Sequence, residues 1–129
     1  MTPLEQQFKV LQTLRGCGNA SLRRLPSGAQ LVTIPELKLP PGWKPKIVTL
    51  MFLAPPGYPA AKPDCFWLSP APVRLDTGGV PQNSNDINEM PEVGRAGTWF
   101  SWHLQTWNPN SDSLVTFFNV IMQRLTPAR

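Results

Sequence analysis

The strongest constraint on the fold is proline, which occupies 16 of the 129 positions. The usual share of proline in proteins is about 5%. Because proline breaks helix interiors, this number argues against a helical bundle. Apolar residues make up 41% of the chain and include five Trp and six Phe, which argues against general disorder. We therefore expect one domain over residues 1–129, with rigid, irregular loops around a modest scaffold.

Cysteine and histidine are too few for a structural zinc site with its usual four ligands. The chain has only Cys17, Cys65 and His103 of these two types. We expect both cysteines to be reduced and buried, and we expect no metal and no cofactor. No apolar run approaches the roughly 20 residues that span a membrane, and the first residues lack a signal-peptide pattern. The sequence thus predicts a cytoplasmic protein without membrane association.

The net charge of +4 is unevenly distributed along the chain. Seven basic residues lie before position 47, where only two acids oppose them, whereas residues 76–92 hold four acids and no base. A dipolar molecule of this kind suits docking to a protein with a charged face of its own. The basic residues form no single run and accompany no nucleic-acid-binding motif, which disfavours a nucleic acid as the partner.

The N-terminus predicts a helix. Thr2 and Glu5 have the spacing of a capping box, and Pro3 fits the first helical position. Gly16 and Gly18 are expected to end the helix. Its apolar face would hold Leu4, Phe8, Leu11 and Leu14, and its solvent face Lys9 and Arg15.

The middle of the chain predicts three strands, at residues 30–34, 46–53 and 64–68. The second is apolar on both faces, which is typical of a central, doubly covered strand. Residues 69–97 show no periodicity and predict a long loop, which is either functional or disordered. A last helix would be capped by Asn110, Ser111 or Asp112 and would bury Leu114, Phe117, Phe118, Ile121 and Leu125. This order indicates an α+β domain in which helices cover an antiparallel meander.

His103 is the candidate for acid–base chemistry, and Ser101 lies two positions before it. If this segment is extended, the two side chains share a face, and His103 could serve as a base for the Ser101 hydroxyl. The loop could supply an acid to orient the imidazole, namely Asp76, Asp86 or Glu89. A purely structural role for His103 also remains open.

The two cysteines and the aromatic residues have simpler interpretations. Cys65, within an apolar strand, and Cys17, near a helix end, are interpreted as buried structural thiols. Tyr58 is expected to tether the long loop through its hydroxyl. Trp99, Trp102 and Trp107 either anchor the core and loops or, with Tyr58, belong to a partner-binding surface, where Trp is enriched.

The order and spacing of these elements resemble the ubiquitin-conjugating enzymes. In that family a Tyr-Pro turn follows the central strand, a long loop carries a His-Pro-Asn motif and the catalytic cysteine, and a Trp-Ser-Pro element leads into a helix. Here a Pro-Pro-Gly-Tyr-Pro turn ends at Pro59, and Trp107-Asn108-Pro109 precedes the last helix. A bacterial branch, prokaryotic family E of ubiquitin-conjugating-like proteins, is a closer resemblance over most of the chain, from about Gln30 to Leu125. It is carried by residues 32–42, 54–59, 100–103 and 112–114.

The resemblance implies a ubiquitin-conjugating-like fold and a role in a bacterial conjugation pathway encoded by a defence or stress operon. Its implied partners are an activating enzyme, a ubiquitin-like modifier and a protease that removes the modifier. The active-site pattern of the family is incomplete here, because no His-Pro-Asn occurs and no cysteine lies between Ser69 and Trp107. The place of the missing cysteine falls near Trp99. Asn83, Asn85 or Asn88 could replace the Asn that steadies the oxyanion.

Two mechanisms remain open. The missing cysteine favours the first, in which a non-catalytic variant binds the activating enzyme or the modifier through its basic first helix, with Lys9 and Arg15. In the second, Ser101 receives the modifier as an ester and His103 acts as the base. An adaptor that binds peptides or nucleic acid, without any role in conjugation, is the alternative of another class.

Overall fold

A computed structural model describes residues 1–90 and 92–129. Helices stand near both ends of the chain, and eight strands lie between them. The elements are α1 (Pro3–Gln12), β1 (Ser21–Arg24), β2 (Gln30–Lys38), β3 (Trp43–Lys44), β4 (Ile47–Ala54), β5 (Phe66–Ser69), β6 (Arg74–Leu75), β7 (Ser84–Ile87), β8 (Gly97–Phe100) and α2 (Leu114–Arg124).

Six of these strands form one antiparallel sheet in the order β1-β2-β4-β5-β8-β7. The short strands β3 and β6 pair separately as a two-stranded ribbon. Two helices and an antiparallel sheet confirm the predicted α+β class. The sheet has more strands than the three that the sequence indicated.

The two faces of the sheet are covered unequally. On one face, β4 contributes Leu50 and Phe52 to the main core, where the ring of Phe52 meets Phe117 of α2 edge to face at 5.1 Å. On the other face, Met51 belongs to a smaller cluster with Leu25, Leu31, Trp67 and Met90. The prediction that β4 is apolar on both sides is therefore confirmed, although Ile47 at its start is exposed.

Helix α1 begins as predicted but ends early. Thr2 accepts the Glu5 N–H, and the Glu5 side chain closes the capping box. The helix stops at Gln12, before Gly16, and the hydroxyl of the C-cap Thr13 donates to the Val10 carbonyl of the last turn at 2.6 Å. Lys9 is exposed on α1, whereas Arg15 lies beyond its end and is exposed there.

Helix α2 buries its predicted apolar stripe, with Phe117 and Ile121 fully covered. Its N-cap is Ser113, one residue later than the predicted caps. Ser113 is extended and its hydroxyl accepts the Val115 N–H, so it satisfies a free donor of the first turn.

Two of the predicted strands have different bounds. Strand β2 continues past Pro35, because the register shifts between Ile34 and Leu37 and a proline at such a bulge removes no ladder hydrogen bond. Strand β5 starts only at Phe66. Cys65 has a φ of +59°, a left-handed conformation that interrupts an extended strand, so the prediction that Cys65 lies within it was wrong.

The segment predicted as a long loop contains two strands, β6 and β7. Strand β7 lies at the edge of the sheet, and its residues Ser84–Ile87 are exposed or half-buried. A polar edge strand of this kind has no apolar alternation that sequence patterns can detect. Pro91, within the same segment, lies outside the described residues. Among the residues described, no helix has the length and apolar character that a membrane span requires.

Candidate active site

Strand pairing brings two distant segments together. Strands β5 and β8 are antiparallel, with Phe66 opposite Phe100, so the residues before β5 lie beside those after β8. The Cys65 N–H donates to the Trp102 carbonyl at 3.0 Å and continues this pairing beyond the strands. Asp64 and His103 are thereby placed next to each other.

Hydrogen bonds also fix the segment that follows β8. The Ser101 N–H donates to the Asn83 carbonyl at 2.8 Å, and Lys62 Nζ donates to the Leu104 carbonyl at 2.6 Å. The segment from Ser101 to Leu104 is irregular but is held at both ends. Among the three asparagines suggested by the sequence, Asn83 is thus the one whose backbone contacts Ser101, whereas Asn85 lies opposite Trp99 and Asn88 follows β7.

His103 lies between an acid and a hydroxyl. Its Nδ1 is 2.5 Å from Oδ1 of Asp64, and its Nε2 is 3.3 Å from Oγ of Ser101. With Nδ1 protonated, the ring donates to the carboxylate and Nε2 is free to accept the serine proton. Ser101 and His103 share a face, as the sequence expected of an extended segment, although the segment itself forms no strand. The three groups form an Asp–His–Ser chain of the kind that activates a serine.

The acid that orients His103 is Asp64 and not an acid of the 69–97 segment. Asp86 is occupied elsewhere, because it accepts hydrogen bonds from Arg74 and from the buried Thr98. The Arg74 guanidinium, helped by Thr98, lowers the pKa of the Asp86 carboxyl. The pairing of Asp64 with His103 was not predicted from the sequence, because the two residues are 39 positions apart.

The site is open to solvent. The side chains of His103 and Asp64 are 60% and 51% exposed. A polar contact this exposed contributes little to stability, so its effect is to orient the imidazole. A groove of about 310 Å³ reaches Asp64 and is lined by apolar residues such as Leu53 and Pro56 and by the charged Lys62 and Glu92.

Cys65 lies much closer to this site than the sequence suggested. The residue is 7% exposed, and it lies between Asp64 and the start of β5. Burial and the nearby Asp64 carboxylate raise the pKa of the Cys65 thiol, and the backbone of Trp102 only partly offsets this rise. The thiol is therefore protonated near neutral pH, as expected for a buried cysteine. Asp64, Cys65 and His103 also offer ligand atoms within 4.8 Å of one another, a spacing that could hold a metal ion.

The aromatic residues of the predicted binding set all make contacts within the chain. The Trp102 ring lies beside the guanidinium groups of Arg124 and Arg129, at 5.3 and 5.9 Å. Trp107 donates to the Pro59 carbonyl at 2.7 Å, and Trp99 packs against the smaller apolar cluster. These contacts anchor loops and core; a role in binding a partner stays a prediction.

Tyr58 joins two helices to the turn that follows β4. Its hydroxyl donates to the Gln7 side chain of α1, and the same Gln7 oxygen accepts the Leu114 N–H of α2. The prediction that this hydroxyl tethers the long loop was wrong, because Tyr58 faces α1. Its ring also packs on Trp107, with 6.0 Å between ring centres.

Comparison with known proteins identifies the family. The family model described as prokaryotic E2 family E matches residues 21–128, which include the whole sheet and α2. No curated protein and no solved structure matches the chain. The fold described above, with an antiparallel sheet and a helix at each end, agrees with the family match. The chain therefore belongs to the prokaryotic E2 family E, whose members are E2-like proteins of prokaryotic conjugation pathways.

Proposed function

We propose that this protein carries a ubiquitin-like modifier as an oxyester on Ser101. The observation that carries the proposal is the Asp64–His103–Ser101 chain, with Nδ1 on the carboxylate and Nε2 on the hydroxyl. A serine hydroxyl is a weak nucleophile without an adjacent base, and this arrangement supplies one. The geometry thus favours the second of the two mechanisms that the sequence left open.

The proposed step is acyl transfer from an activating enzyme. Ser101 Oγ attacks the carbonyl carbon of the modifier's C-terminal thioester while His103 Nε2 takes the hydroxyl proton. The new C–O ester bond forms as the C–S bond breaks, and the imidazolium returns its proton to the departing thiolate. Asp64 accepts a hydrogen bond from Nδ1–H throughout and stabilises the positively charged ring.

Cys65 is the competing nucleophile within the site. A thiol is intrinsically a better nucleophile than a hydroxyl, but only as the thiolate. The Cys65 thiol is buried, and its pKa is raised. The half-buried Ser101, in contrast, has a hydroxyl paired with the exposed His103 ring. These differences support Ser101 as the acceptor of the modifier.

Docking of the activating enzyme is proposed at the basic N-terminal face. Lys9 and Arg15 are exposed, and neither forms an ion pair within residues 1–90 and 92–129. Unpaired surface charges of one sign speed association with an oppositely charged partner. Lys9→Glu with Arg15→Glu should weaken the complex at low salt by about tenfold or more. The pair Arg23→Glu with Arg24→Glu, on β1, is the matched control and should leave binding largely unchanged.

The test of the proposed function is a reaction with ATP, the cognate activating enzyme and the modifier. We expect an adduct that resists a reducing thiol but is cleaved by hydroxylamine, and that is lost in Ser101→Ala. Ser111→Ala, at an exposed serine in the turn before α2, is the control and should form the adduct normally. An adduct that a thiol cleaves would contradict the ester. A stable complex without any adduct would instead support the non-catalytic variant.

A further inference from the structure

We propose that Asp64, Cys65 and His103 form a binding site for a zinc ion. One carboxylate oxygen, the Sγ atom and one ring nitrogen lie within 4.8 Å of one another. This grouping goes beyond the proposed transfer function and does not depend on it. It differs from the sequence expectation that the chain binds no metal, which was argued from the small number of cysteine and histidine residues.

The backbone explains why adjacent residues can both be ligands. In an extended strand, the side chains of Asp64 and Cys65 would point to opposite faces. The left-handed conformation of Cys65, with φ of +59°, breaks this alternation. The pairing of β5 with β8 then brings His103 from a distant part of the chain to the same place.

The three donors match the chemistry of zinc. Zinc in proteins is bound by thiolate, imidazole and carboxylate, at about 2.3 Å for sulfur and about 2.0–2.2 Å for nitrogen and oxygen. Tetrahedral geometry at these lengths separates the ligand atoms by roughly 3.3–3.8 Å. Side-chain movements of about 1 Å therefore bring the three ligand atoms to bonding distance from a zinc ion. Because the thiol must ionise, each zinc bound at Cys65 releases one proton.

Three protein ligands leave one position of a tetrahedral zinc ion open to water. The exposed His103 and Asp64 give an ion direct access from solvent. A bound zinc would occupy the imidazole and the carboxylate that face each other at 2.5 Å. If Ser101 is the acceptor of the modifier, as proposed above, zinc and ester formation exclude each other, and zinc acts as a reversible inhibitor.

Cobalt(II) titration of the purified, reduced protein tests the site, since cobalt replaces zinc and reports thiolate ligation through its absorption spectrum. We expect a thiolate-to-cobalt charge-transfer band that added zinc displaces. Cys65→Ser should abolish the band, and His103→Ala should weaken zinc binding at least tenfold, since even outer-shell partners of a metal cost about 10–100-fold. Cys17→Ala, at the other, fully buried cysteine, is the control and should keep the band.

Ser101→Ala separates this inference from the proposed function. The variant should lose the ester adduct yet bind cobalt and zinc as the parent protein does. Circular dichroism of every variant checks that the fold is retained. The zinc site is overturned if the parent protein gives no thiolate band, or if Cys65→Ser gives the same spectrum as the parent.

Discussion

His103 Nδ1 lies 2.5 Å from Oδ1 of Asp64, although 39 residues separate the two in the chain. The contact exists because Asp64 lies two residues before the start of β5 and His103 follows the end of β8, its antiparallel neighbour. It leaves Nε2 facing Ser101, the position that the proposed role of the ring as a base requires. The central chemical proposal for this E2-like protein rests on this relationship.

Replacing Asp64 should impair chemistry without unfolding the protein. Asp64→Asn removes the charge that stabilises the imidazolium and permits the wrong tautomer, so the rate of adduct formation should fall at least tenfold. Because Asp64 is exposed, thermal stability should change little. Single-turnover kinetics and thermal unfolding measure the two effects. Asp76→Asn, at an exposed acid that the sequence offered for the same role, is the control, and an equal loss of rate there would contradict the assignment.

The Cys65 thiol should react slowly with alkylating agents. Its burial and raised pKa leave little thiolate at neutral pH. With iodoacetamide at neutral pH, we expect its alkylation to be at least about tenfold slower than that of a free cysteine derivative. Peptide mapping by mass spectrometry distinguishes Cys65 from Cys17. Alkylation as fast as that of the free derivative would favour Cys65 as the nucleophile in place of Ser101.

Thr98 should stabilise the sheet through its hydroxyl. The residue is fully buried, accepts the Val73 N–H at 2.9 Å and donates to Asp86 at 2.7 Å. Thr98→Val keeps the shape but leaves a buried N–H unpaired, which should lower the free energy of unfolding by about 1–3 kcal/mol. Denaturant titration gives this value. The exposed Thr106→Val should change it by less than about 0.5 kcal/mol, and similar values for both variants would count against the network.

The contribution of Asp86 to the stability of the folded state should disappear in acid. Arg74 lowers the pKa of Asp86 in the folded state, below the value of about 3.9 that is usual for an unfolded chain. The stabilisation is therefore complete above that value and is lost as the pH falls through the folded-state pKa. The difference in Tm between the parent and Asp86→Asn should shrink as the pH falls from about 6 to about 2.5. A difference that stays constant over this range would contradict the assignment.

Sequence reasoning correctly identified the features that depend only on residues close together in the chain. The capping box at Thr2 and Glu5, the buried stripe of α2 and the apolar core of β4 each follow from spacing within one segment. Strand β7 was not identified from the sequence because its residues are mostly polar. The ribbon of β3 with β6 was missed because each strand has only two residues and the two strands lie far apart in the chain.

The candidate active site also combines features that follow from one segment with features that depend on distant residues. Ser101 and His103 could be paired from sequence, since an extended segment puts residues two apart on one face. Asp64 and Cys65 could not be added to them, because their position depends on the register of β5 with β8 and on the left-handed backbone at Cys65. A β-branched or apolar pattern predicts neither of these.

Peptide mapping of the adduct between this protein and the modifier tests the central claim most directly. The adduct is digested and the residue that carries the modifier's C-terminal remnant is identified by tandem mass spectrometry. We predict that the remnant is attached to Ser101, and that Cys65→Ala forms the same adduct. A remnant on Cys65, or an adduct that persists unchanged in Ser101→Ala, would contradict the account.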